Sequence, residues 1–121
     1  MRYLCLVHTG PDPFSGLSET EKRELDRDSL NYDKELEASG HYIAAEALQG
    51  PENAVMVKVR NGDVSTTDGP FSETKEHLGG FILIEARDMN EAIRLAAGIP
   101  MARLGRIEVR PVFSIPDSNR P

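Results

Sequence analysis

Near the middle of the chain Val55, Val57 and Val59 alternate with Met56, Lys58 and Arg60, and Asn61-Gly62 follows at once. A period of two marks a strand with one apolar face. Asn-Gly readily adopts the positive φ angles of a tight I′ turn, so the chain is expected to double back through Asp63 to Thr67. This hairpin constrains the rest: it sets an antiparallel pair inside a short chain, and each flanking half must supply its own strands and helix.

On the N-terminal side, Tyr3 to His8 is a dense apolar run bounded by Gly10-Pro11-Asp12-Pro13, as a buried strand would be. Ser18-Glu19-Thr20-Glu21 has the capping-box spacing. Leu25, Ser29, Tyr32 and Leu36 then share one helical face up to Gly40, while the charged opposite face is solvated. His41 to Leu48 is expected to form the second strand, closed by Gln49-Gly50-Pro51. On the C-terminal side, Gly79-Gly80 precede an apolar strand from Phe81 to Ala86. Asp88 and Glu91 repeat the capping spacing, and Met89, Ala92, Ile93, Ala96 and Ala97 make a helical stripe stopped by Gly98 and Pro100. Ile107 to Arg110 alternates as a last strand before Pro111, and the tail from about residue 116 to 121 is expected to fray.

The order is strand, helix, strand, hairpin, strand, helix, strand. It predicts one α+β domain over residues 1–121, with a ferredoxin-like antiparallel sheet and two helices on one face. The other face then needs a cover, and a second copy of the chain is the economical one, so a homodimer of the dimeric α/β-barrel type is expected.

Composition narrows the partners. Fourteen basic against twenty acidic side chains leave a net charge of −6, which disfavours a nucleic-acid surface but leaves room for a local pocket for a small anion. Cys5 is the only cysteine, so an intrachain disulfide and a cysteine-based zinc site are both excluded. The opening apolar run is too short for a signal peptide or a membrane span, and a reduced, cytoplasmic setting is the expectation. The sequence carries no HExxH, GxxxxGK[ST] or GxGxxG pattern, so neither a metal nor a nucleotide cofactor is expected.

One stretch, Thr67 to Gly80, does not look like scaffold. It follows a strand, turns sharply at Asp68-Gly69-Pro70, and then brings Glu73, Lys75, Glu76 and His77 close together in sequence. As TDGPFSETKEHLGGF it resembles the signature of the YCII-related, or DGPF, domain family. Supporting similarity runs over nearly the whole chain: the MRYLCLVH start, Gly40 to Leu48, Glu91-Ala92 with Ala96-Ala97, Ile99-Pro100, and Gly105 through EVRPV. The resemblance implies a bacterial protein with a ferredoxin-like dimeric α/β fold. It also implies a possible association with sigma factors of the extracytoplasmic-function class. A shorter branch of the superfamily carries a histidine on its first helix, paired with an aspartate as the suggested active site. The corresponding stretch here, Arg27 to Asn31, contains no histidine.

Asp68 has two readings: a turn residue whose carboxylate accepts backbone amides, or a carboxylate at a pocket mouth able to move a proton. Gly69 and Pro70 serve the turn, and Phe71 either walls a pocket or anchors the loop. Glu73, Lys75 and Glu76 form either a solvated charge run or a ligand-holding group, with Lys75 able to neutralise a carboxylate or pair with Asp68. The histidines are dispersed, and His41 with Asp68 is the pair to look for as an acid–base couple. Glu108 and Arg110 are expected opposite Ile107 and Val109, with Glu46 near enough to join them and Arg110 able to hold negative charge. Two functions follow. One is a cofactor-independent enzyme of lyase or hydrolase type, binding a small polar or anionic metabolite beside the signature loop. The other is a non-catalytic module that binds a ligand or a protein in sigma-factor-linked regulation.

Overall fold

The computed structural model describes residues 1–69 and 76–116. The elements are β1 (Arg2–Thr9), α1 (Glu19–Ala38), β2 (Tyr42–Ala47), β3 (Val55–Arg60), β4 (Asp63–Asp68), β5 (His77–Glu85), α2 (Met89–Ala97) and β6 (Arg106–Pro111). Short 3₁₀ turns cover Pro51–Asn53 and Pro100–Arg103. Four strands form an antiparallel sheet in the order β2-β5-β1-β6, and β3 and β4 pair only with each other. This is the split-βαβ, ferredoxin-like arrangement that the element order predicts.

Local chemistry explains the helix ends. The Ser18 hydroxyl accepts the Glu21 N–H at 3.1 Å, and the Glu21 carboxylate accepts the Ser18 N–H at 3.1 Å. Both halves of the capping box are therefore made, and Ser18→Ala is expected to cost about 1 kcal/mol in urea unfolding, read as a lower midpoint at unchanged slope. Gly40, at φ 81°, turns the chain out of α1 into β2. At α2 the Asp88 carboxylate accepts the Glu91 N–H at 2.9 Å, and Glu91 reaches back to the Arg87 N–H at 2.8 Å.

Alternation sorts the sheet into two faces. Tyr3, Cys5 and Val7 of β1 are buried beside Ile82 and Ile84 of β5, and on this side Leu36 of α1 meets Ala92, Leu95 and Ala96 of α2. Both helices thus lie on one face. The Tyr32 hydroxyl ties them together, donating to the Leu95 carbonyl at 2.5 Å. Cys5 is fully buried, and burial pushes its thiol pKa up to about 11, so it is an inert apolar side chain here. The opposite face carries Leu4, Leu6, Phe81 and Leu83, all half-buried with no element of the described residues laid over them.

The two strands that flank the signature segment reach further into it than the sequence suggests. β5 begins at His77, so Gly79-Gly80 lie inside it rather than ahead of it. A Cβ on Gly80 would come 2.7 Å from the Glu46 carbonyl oxygen, so glycine serves a close approach between strands here and not a chain break. β4 runs on to Asp68, which pairs with Val55.

Candidate functional site

The core fills only part of the space between helices and sheet. Buried side chains cluster around α2 and the C-terminal end of α1, where Leu36, Leu95 and Ile99 meet Cys5 and Ile84. Beneath the middle turns of α1 the inward positions become small or polar. Leu25 is buried, but Ser29 follows it on the same face. On the sheet below lie Ala45 and Gly80, which offer little volume to meet the helix. The result is an open cavity of about 870 Å³ between α1, the sheet, the Gly10–Phe14 loop and the turn at Pro100-Met101. Val7, Leu25, Ile82, Ile99 and Met101 make its lining mainly apolar.

The cavity touches the signature segment. His77, Leu78, Gly79 and Gly80 contribute to its lining, as do Gly50, Pro51 and Glu52 from the other side of the hairpin. Gly69 packs against this second wall: its N–H donates to the Ala54 carbonyl at 2.8 Å, and a Cβ on it would collide with the Pro51 carbonyl oxygen. Glycine is therefore required at that position by close approach. Asp68 is exposed and does not border the cavity. Its residue forms the end of a strand, and no side-chain bond within the described residues holds it as a turn cap.

The predicted groups are distributed as follows. His41 lies at the opposite end of β2 from the hairpin, its Nδ1–H donating to the Glu85 carbonyl at 2.7 Å. Six residues of β2, at roughly 3.3 Å each, put about 20 Å between it and the turn that holds Gly69, so His41 and Asp68 do not form a couple within one chain. Pro70, Phe71, Glu73 and Lys75 lie outside the described residues. Glu76 does find a partner: the Arg106 guanidinium holds it in a two-pronged ion pair, with Nε to Oε2 at 2.9 Å. That hydrogen bond is the main reason the Glu76 carboxyl titrates below the ordinary range.

Arg110 and Glu108 share the open face of the sheet, as alternation requires, and are paired through Arg110 Nε at 2.9 Å. Sequence spacing missed the third member. His8 Nε2 sits 2.8 Å from Glu108 Oε1 across the β1–β6 ladder, a contact between residues that only the sheet register brings together. The His8 bond first, and the Arg110 bond second, hold the Glu108 carboxyl low. Glu46 is not part of this row. It stands on β2, three strands away in the β2-β5-β1-β6 order, about 14 Å at ordinary strand spacing. Among the described residues no group of three or more His, Cys, Asp or Glu side chains is placed to hold a metal ion. Among them, too, no helix is long and apolar enough to cross a membrane.

A split-βαβ domain, with a ligand-sized hollow under its first helix and a signature segment bordering it, is the class that fold and site define. The chain belongs to the YCII-related domain family, whose model matches residues 1–116. It is similar to an uncharacterised protein of Rhizobium meliloti (strain 1021), 30% identical over 114 residues, which cover 93% of this chain and 92% of the relative.

Proposed function

We propose that the chain is a small-molecule-binding protein that works as a homodimer, with the ligand's apolar body seated in the hollow between α1 and the sheet. The observation that carries this reading is the cavity itself. At about 870 Å³ it falls within the range of ordinary small-molecule pockets, and its lining is mainly apolar with a few polar groups. A packed core avoids such a void, because each unfilled volume forfeits dispersion contacts. Ser29, Ala45 and Gly80, on three separate elements, keep this one open.

The dimer is supported by two uncovered apolar surfaces. Leu4, Leu6, Phe81 and Leu83 form the centre of the bare sheet face. The hairpin places Val55, Val57, Val59 and Val64 on one side, each more than half exposed. An isolated two-stranded hairpin is marginal in water, so this one needs a surface to lie against. A second copy offers a matching bare face, and the His8–Glu108–Arg110 row would then border the interface.

A fragment screen by thermal shift tests the pocket, using single-ring aromatic compounds against the wild type and Ala45→Phe. The added ring of Ala45→Phe projects into the cavity without removing any core contact. A fragment at a hundredfold its dissociation constant is expected to stabilise the wild type by about 2.7 kcal/mol and the variant far less. Equal shifts in the two proteins, or none in the wild type, would remove the cavity as the site.

A further inference from the structure

The polar groups of the hollow are unevenly charged. Ser29 and Asp33 stand one turn apart on α1, both half-buried and both on the cavity lining. Asp33 has no ion-pair or hydrogen-bond partner among the described residues, and loss of hydration alone raises its carboxyl above the ordinary value. Facing them from the sheet is Thr9, only 6% exposed. Its side chain shares the helix-facing side with Cys5 and Val7, and it too lines the cavity. The Thr9 hydroxyl donates to no described group, yet no described buried polar atom is sealed off without a partner, so it keeps some exposure at a residue that lines the hollow.

Besides Asp33, the charged side chains of the described lining on this side of the sheet are Asp12, Asp26 and Glu52, all exposed at the edge, and the described lining holds no lysine or arginine, only His77. A half-buried carboxylate without a cation is costly, and the cost is recovered when a cation with matching donors arrives. An anionic ligand would find no lysine or arginine to pair with among the described lining residues.

We propose that the hollow selects an organic amine: an ammonium group pairing with the Asp33 carboxylate, with the Ser29 and Thr9 hydroxyl oxygens accepting its further N–H bonds, and an apolar body lying toward Ile82 and Met101. An ammonium carries three donors and no acceptor, which suits one carboxylate and two hydroxyls. This inference rests on the cavity being the ligand site, and it replaces an anionic ligand with a cationic one.

Calorimetric titration with phenethylamine, phenethyl alcohol and phenylacetate, which share a ring and differ in the head group, separates the two ideas. Phenethylamine is expected to bind at least about tenfold tighter than the alcohol, with phenylacetate weakest, since one desolvated charge pair is worth more than about 1.4 kcal/mol. Asp33→Asn should bring the amine down to the affinity of the alcohol and leave the alcohol unchanged. Glu24→Gln, which makes the same charge change on the exposed side of α1, should leave the order intact. If the alcohol or phenylacetate binds the wild type as tightly as the amine, or if Asp33→Asn keeps the amine preference, the amine inference fails while the cavity stands. If none of the three binds, and Ala45→Phe also changes no fragment response, the cavity reading falls with it.

Discussion

Ile84→Ala is expected to lower the unfolding free energy by about 2–5 kcal/mol, the range for truncating a fully buried isoleucine. Ile84 is 1% exposed and stands between Tyr3 of β1 and Tyr42 of β2, where the sheet meets α2. Its removal leaves a void among residues already fixed on both sides by strand pairing, so the site has little freedom to collapse. The whole stability of a domain this size is of the order of 5–15 kcal/mol, and the loss is therefore a large share of it. Urea unfolding should show the midpoint falling at an unchanged slope. A loss under about 1 kcal/mol would mean that the packing around Cys5 and Ile84 is not where the stability resides.

The largest effect is expected for Leu6→Asp. Leu6 sits on the central strand β1, on the bare sheet face beside Phe81 and opposite Glu108. In a lone chain the new carboxylate would point to water at little cost. In a dimer closed over that face it would be buried without a partner, a penalty of several kcal/mol. Dimer dissociation should therefore rise by about a thousandfold, at one decade per 1.4 kcal/mol. Light scattering behind a sizing column should show the wild type at twice the chain mass and Leu6→Asp at the mass of one chain, still folded by circular dichroism. Ile93→Asp, an equally apolar-to-acidic change on the exposed side of α2, should stay dimeric. A wild type that runs as a single chain, or a Leu6→Asp protein that still pairs, would show that the bare face is not the interface.

What the sequence made legible was local. Asn61 and Gly62 both take positive φ, at 52° and 81°, and the hairpin forms where the Asn-Gly pair places it. Ser18 and Asp88 cap the helices they precede, because a capping hydroxyl or carboxylate needs only three residues of context. The strand order followed from the sequence of elements. What stayed hidden depends on registers and absences. His8 and Glu108 are 100 residues apart in sequence, and no spacing rule joins them. Gly79-Gly80 looked like a boundary because a glycine pair signals a break more often than a close strand approach. The cavity was least legible, since it arises from what Ser29, Ala45 and Gly80 leave unfilled. The charged signature stretch drew attention to Asp68, whereas the described part that meets the hollow starts at His77.

The middle turns of α1 span a hollow while its last turns rest on the core, and this gives one helix two different tempers. Protection from amide hydrogen exchange follows the apolar contact beneath a segment, so the two stretches of α1 are expected to open as different cooperative units. The end near Leu36, packed on the core, is expected to exchange only when the sheet opens, and the turns over the hollow to exchange sooner. A molecule lodged beneath Ser29 would supply the missing contacts and bind the two stretches into one unit. Capturing the ligand and steadying the middle of the helix would then be a single equilibrium, with part of the affinity spent on suppressing the local opening of α1.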